Sequence, residues 1–237
     1  MPKMAVRDAA TVILLRDRES DPKILMGQRG AQAAFMPNKF VFPGGAVDPD
    51  DAHVPLAEPL PEPCKIRLSQ ETDPKLCDAL VAAAVRELWE ETGLILGTSG
   101  KWPCPPPAEW ESFANAGYRP TGAGLRFVFR AITPPGRPRR FDARFFLGDA
   151  AEIKGDPDDF THACDELSHL QWISLDKVRH FDLPFITEVV VAEIAALIRA
   201  GADFPETTPF FRNTDEESLF LRLAGKSPLR AQEQAKE

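Results

Sequence analysis

The sequence lacks the marks of several whole classes of protein. No apolar run approaches transmembrane length, and residues 1–8 are charged with no signal-peptide anatomy. A positive charge excess is also missing: 28 basic against 36 acidic side chains give a net charge of −8. A non-specific nucleic-acid or anionic-membrane surface is therefore excluded as the main business. Cysteines are few, and Cys64, Cys77, Cys104 and Cys164 form no C-x-x-C pair. Reduced structural thiols are expected rather than zinc or redox chemistry, with a Cys64–Cys77 disulfide as the alternative. His162, His169 and His180 have no metal-ligand spacing, and no internal repeat is present. The cytoplasm is the expected compartment.

What is present is an ordinary globular composition. The 237 residues are 43% hydrophobic and 27% charged, enough for one sizeable core with an elaboration. The 23 prolines imply long, extended loops. One stretch, residues 81–94, organises the rest. Val81, Ala84, Val85 and Leu88 recur at i, i+3, i+4 and i+7, the apolar stripe of a helix, and Gly93 supplies a stop. Glu87, Glu90 and Glu91 share one face near the C-terminal end of that helix. Like charges there repel one another and meet the negative end of the helix dipole. Arg86 can pair with Glu90 but leaves a surplus of acid. A divalent cation, Mg²⁺ or Mn²⁺, turns that cost into a site, because carboxylate oxygens are the ligands it prefers. The plain alternative is a solvated acidic face.

Arg86-Glu87-Leu88-Trp89-Glu90-Glu91-Thr92-Gly93-Leu94 resembles the second half of the Nudix box, G-x5-E-x7-R-E-U-x-E-E-x-G-U with U a bulky aliphatic, at every fixed position. Phe42-Pro43-Gly44-Gly45 is similar to the strand end and glycine turn that open the box, and Asp78 stands eight residues before Arg86, where the family has its first glutamate. On that alignment residues 46–77 are an insertion inside the box, read as a lid or cap beside the cleft, with a linker as the alternative. The resemblance spans residues 9–178. It implies a Nudix-type α/β/α sandwich around a mixed sheet, a class that the alternation of strands and helices also suggests.

Along the chain, residues 9–15 and 24–28 read as a hairpin and 40–42 as a short strand. Residues 108–116 read as a short helix, 125–131, 139–147 and 170–174 as strands, and 188–199 as an apolar helix. The expected organisation is a catalytic domain over 1–183 and a helical C-terminal extension over 184–237. Phe210-Phe211 and Leu219-Phe220-Leu221 of that extension dock on the same domain or on a second subunit, as in a homodimer.

The resemblance implies hydrolysis of a diphosphate bond in a nucleoside diphosphate linked to another moiety. Glu87, Glu90 and Glu91 hold Mg²⁺ or Mn²⁺ with a Gly44 or Gly45 carbonyl. Glu87 or Glu166, with Asp165 as the alternate, takes the proton of the attacking water. Arg86 positions the glutamates. Arg29, Phe35, Arg140 and Arg144 are the substrate-binding candidates: Arg29 follows the second strand, Phe35 is free to stack, and the two others lie in a locally basic strand. The plain reading of that strand is ion pairing. The stretched box and the Arg/Phe-rich strand look similar to the peroxisomal coenzyme A diphosphatase branch, so coenzyme A or an acyl-coenzyme A is the expected substrate. ADP-ribose, dinucleotides and nucleoside triphosphates are the rivals, and a nucleotide-sensing binding module is the rival of another class.

Overall fold

The computed structural model describes residues 5–224 apart from 34, 203–204 and 216. The N-terminal apolar run forms β1 (Val6–Arg16), and a turn with Asp17 at φ 56° leads into β2 (Lys23–Arg29). After β3 (Phe40–Val41), β4 (Gly44–Ala46) and a 3-10 turn over Pro49–His53 come α1 (Glu62–Leu68) and α2 (Leu76–Thr92). Next are β5 (Gly97–Ser99), α3 (Glu111–Asn115), β6 (Tyr118–Pro120), β7 (Arg126–Ile132) and β8 (Arg140–Asp149). The last elements are β9 (Leu167–Ser174), α4 (Phe185–Arg199), β10 (Thr208–Asn213) and β11 (Ser218–Leu223).

Nine of these strands form one mixed sheet, in the order β11-β10-β7-β8-β1-β2-β3 with β4 beside β1 and β9 beside β2. β1 is its centre. It runs parallel to β8 from Val6 to Leu15 and antiparallel to β4 from Ala9 to Thr11. Ala10, Val12 and Leu14 point into the core under α2, while Ile13 and Leu15 point into the core under α4. A strand covered on both faces needs a nearly continuous apolar run, which residues 9–15 supply. Val81, Ala84, Val85 and Leu88 of α2 are fully buried on that sheet. The helix ends where Gly93 turns left-handed (φ 75°) and its N–H donates to Trp89 O at 2.8 Å. Helices on both faces of a mixed sheet are the expected α/β/α architecture. No described helix is long and apolar enough to cross a membrane.

Two expectations are corrected. Residues 46–77 do not cap a cleft. Val54, Leu60, Cys64, Leu68 and Cys77 join the core on the α2 side of the sheet, and Phe127 N–H donates to Cys64 Sγ at 3.3 Å. Burial of these five side chains, with Val47 and Leu56 packed against the same cluster, anchors the segment to that core. All four cysteines are free, so no Cys64–Cys77 disulfide forms. The C-terminal extension, in turn, is only partly helical. After α4, β10 and β11 form a hairpin that adds to the sheet edge, with Phe210 opposite Arg130 and Phe211 opposite Ala131. Phe210 and Leu223 are fully buried there, so the tail docks on its own sheet. The polar end of the chain, 225–237, lies outside the described residues.

Candidate active site

The C-terminal half of α2 is organised by one arginine. Arg86 Nε and Nη2 donate to the two carboxylate oxygens of Asp51 at 3.0 and 3.1 Å. Its Nη1 donates to Glu87 Oε1 at 3.0 Å and Glu90 Oε2 at 2.9 Å, and Nη2 also reaches Ala46 O at 3.0 Å. This fork geometry is what a planar guanidinium offers and an ammonium does not. Asp51 is held in turn by Asp48 N–H (2.8 Å) and Trp110 Nε1–H (3.2 Å). Burial alone would lower the Arg86 pKa; the Asp51 hydrogen bonds and the charges of Glu87, Asp51 and Glu90 raise it instead.

Glu91 lies one helical turn beyond Glu87. It is only 2% exposed, and its Oε2 accepts Gly44 N–H at 2.7 Å. Burial, with the Glu87 charge next, holds its carboxyl well above the usual range. Burial likewise pushes Glu87 up to about 7, against the lowering effect of Arg86; Glu90 and Glu166 add to the rise. Gly45 is required here for space. A Cβ on it would stand 2.5 Å from the Glu87 carboxylate.

Glu87, Gly44 and Gly45 form one end of a cavity of about 440 Å³ on the α4 side of the sheet. Arg29 and Glu166 stand on its wall, and the Arg29 Nε is buried with no hydrogen-bond partner. Phe35 and Phe141 meet edge to face there, ring centroids 5.4 Å apart. Phe145, Phe185 and Phe211 extend the apolar lining. A cavity of this size with few polar groups at one end is the usual form of a small-molecule site.

Several expected residues are thus brought together: Glu87, Gly44, Arg29, Phe35 and Glu166 line the cavity, and Glu91 is held directly behind Gly44. Glu90 is outside the lining, engaged by Arg86. Arg140 and Arg144 are turned away. Arg140 is buried on Asp215, Thr133 O and Asn213 O, and Arg144 on Asp8 and Asp142. The strand's period of two explains it. Phe141, Ala143 and Phe145 of β8 face the cavity, so Arg140 and Arg144 face the other side. Asp165 is exposed and outside the cavity lining.

Asp78 is also misplaced for its expected role. It is exposed on the first turn of α2, 4.0 Å from Lys65 Nζ, and stands nine positions before Glu87 along the helix, about 13 Å. Asp51 stands in its stead, and the signal was in the sequence: five residues separate Gly45 from Asp51, the G-x5-E spacing with Asp for Glu. Arg139, the first arginine of the basic strand, lines the cavity; Thr11, Arg7 and Arg137 also line it and carried no sequence signal of their own.

No family model matches the chain. A Caenorhabditis elegans protein provisionally named nudix hydrolase 7 is 30% identical over 190 residues, which cover 70% of this chain and 51% of that protein. The chain therefore spans about half the length of the curated relative it matches. A solved NUDIX hydrolase from Alicyclobacillus acidocaldarius aligns with a TM-score of 0.62 at 25% identity, over 83% of this chain and 96% of that one. With the box residues gathered at the C-terminal half of α2, the chain is similar to these Nudix hydrolases, in sequence over about half of the one and in fold over most of the other.

Proposed function

We propose that the protein hydrolyses the diphosphate linkage of a nucleoside diphosphate joined to another moiety, with Mg²⁺ or Mn²⁺ as cofactor. The observation that carries this reading is the unbalanced acid at one end of the cavity. Burial, with the charges of Glu90 and Glu166, raises the proton affinity of Glu87, and burial, with the charges of Glu87 and Glu166, raises that of Glu91. The nearest arginine within hydrogen-bond reach, Arg86, is already held by Asp51. The donor set fits a hard divalent cation: oxygen ligands, negative charge and a buried position. Among the described residues no three acid, histidine or cysteine side chains converge on one point, because Glu87 and Glu90 share Arg86 Nη1 and Glu91 is tied to Gly44.

The cation's chemistry is to neutralise phosphate oxygens and acidify a water for attack. Glu87, Glu90 and Glu91 would hold it. Glu166, on the cavity wall, would orient the water or take its proton. Arg86 fixes the carboxylates without touching substrate, and Arg29 presents an unpartnered Nε–H to a phosphate oxygen. The aromatic lining, Phe35 and Phe141 first, suits an adenine ring and a pantetheine or acyl arm. Coenzyme A or an acyl-coenzyme A is therefore the leading substrate, in line with the resemblance to the coenzyme A diphosphatase branch.

A panel of coenzyme A, ADP-ribose, dinucleotides and nucleoside triphosphates, each with Mg²⁺ or Mn²⁺, tests this, with products identified by mass. A phosphopantetheine product is expected. Cleavage of ADP-ribose but not coenzyme A would replace the substrate, and tight binding without turnover would favour a nucleotide sensor. The cofactor has its own test in stability. Folded Glu87 keeps a proton to about pH 7 that the unfolded chain releases near pH 4.5. In chelator, stability therefore falls as pH rises through that window. A cation on the carboxylates offsets this penalty. The rise in Tm on adding Mg²⁺ should thus grow between about pH 5.5 and about pH 7.5. A rise independent of pH would separate the ion from these acids.

A further inference from the structure

We infer that Arg137 and Arg139, with Arg7 beside them, form a second anion site at the far end of the cavity, and that it takes a phosphomonoester carried by the nucleoside half of the substrate. The inference rests on the diphosphate reading above and names which diphosphates the site prefers.

The pattern of arginine pairing points there. In an acidic chain the buried arginines are engaged: Arg86 by Asp51, Arg130 by Asp142, Arg140 by Asp215 and Arg144 by Asp8. Arg7, Arg29, Arg137 and Arg139 have no side-chain hydrogen bond or ion pair among the described residues, and all four line this cavity. Elsewhere among the described residues only Arg179 and Arg199 share that condition. A surface with a net charge of −8 offers carboxylate partners in plenty. Guanidinium groups gathered instead around one cavity, repelling one another, create a local positive field that favours an anion.

Strand geometry separates the two ends. Thr11 of β1 pairs with Gly44 beside the carboxylates, and Arg7 is four residues back along the same strand, about 13 Å away. Arg7 pairs with Phe141, and Arg139 is two residues before Phe141, on the same face. Arg29 serves the acid end, so a diphosphate held there with its cation has no need of the three distal arginines. The nucleoside, lying between the ends against Phe35 and Phe141, would bring its own phosphate to them. A phosphomonoester is a dianion with three terminal oxygens, enough to accept from two guanidinium forks. Arg137 and Arg139 flank Pro138 in the exposed connection between β7 and β8. That proline limits their backbone freedom.

Titration calorimetry of adenosine 3′,5′-bisphosphate and adenosine 5′-monophosphate, each with Mg²⁺, tests the assignment on the full chain. The wild-type protein should bind the bisphosphate about tenfold or more tightly than the monophosphate. In R137A/R139A that ratio should fall to within about twofold of one. Both side chains are exposed, so the variant folds, and an unchanged Tm checks it. Arg29→Ala should weaken both ligands by a common factor. A wild-type ratio near one, or a ratio kept in R137A/R139A, would overturn the inference. A wild-type protein that prefers the bisphosphate yet cleaves no diphosphate would remove the hydrolase reading and leave this site standing.

Discussion

Glu91→Gln is expected to lower cation-dependent turnover by about 10²–10³-fold while making the cation-free protein more stable. The two effects have one origin. Glu91 is buried, and both desolvation and the Glu87 charge disfavour its ionised form. Glutamine keeps the shape and an oxygen to accept Gly44 N–H, now at 2.7 Å, but removes the charge. The apo Tm should therefore rise, by about 2–4 °C for each kcal/mol of relieved penalty. Glu87→Gln should lose turnover similarly, because Glu87 is the box carboxylate that reaches the cavity. Steady-state rates with Mg²⁺ and melting curves in chelator check both. An E91Q protein that kept its rate would take Glu91 out of the ion site. One that melted lower would show that its carboxylate stabilises the fold.

The second large effect falls on stability. Asp51→Ala leaves Arg86, 6% exposed, without its bidentate partner. Removing one partner of a buried pair costs about 3–5 kcal/mol, a fall in Tm on the order of 10 °C for a chain of this size. Turnover should fall as well, because Arg86 also orients Glu87 and Glu90. Asp78→Ala is the matched control. Asp78 is exposed and touches only Lys65 at 4.0 Å, so its removal should stay within about 0.5 kcal/mol. Chemical denaturation of the two variants decides which acid supports the box. Equal losses would restore Asp78 to that role.

These two aspartates also show what was legible in the sequence. The helix, its stripe and its glycine stop were plain, because 3.6-residue periodicity and a left-handed cap are local signals. Strands β1, β2, β7, β8 and β9 were legible from apolar runs and alternation. The partner of Arg86 was ambiguous in the sequence, because two aspartates each keep one half of the box spacing: Asp51 lies six residues after Gly45 and Asp78 eight residues before Arg86, and only the fold brings Asp51 to the guanidinium. The basic strand misled for a different reason. Composition placed arginines beside the site, but the pleat decides which of them face it, and register is set by pairing with β1. Arg139 lines the cavity and its neighbour Arg140 does not. The tail strands were hidden because β10 and β11 are stable only against the edge of β7, a contact between residues some eighty positions apart. Glu166 had no motif, and only folding brings β9 to the end of α2.

The central claim is that the acids at the end of α2 grip a divalent ion at the mouth of the cavity. The most direct measurement is anomalous scattering from crystals grown with Mn²⁺ and a non-hydrolysable nucleoside diphosphate. A manganese peak about 2.1 Å from carboxylate oxygens of Glu87 and Glu91, beside a diphosphate oxygen, is the predicted result. A bound nucleotide with no metal peak, and Glu87 still paired to Arg86, would contradict it.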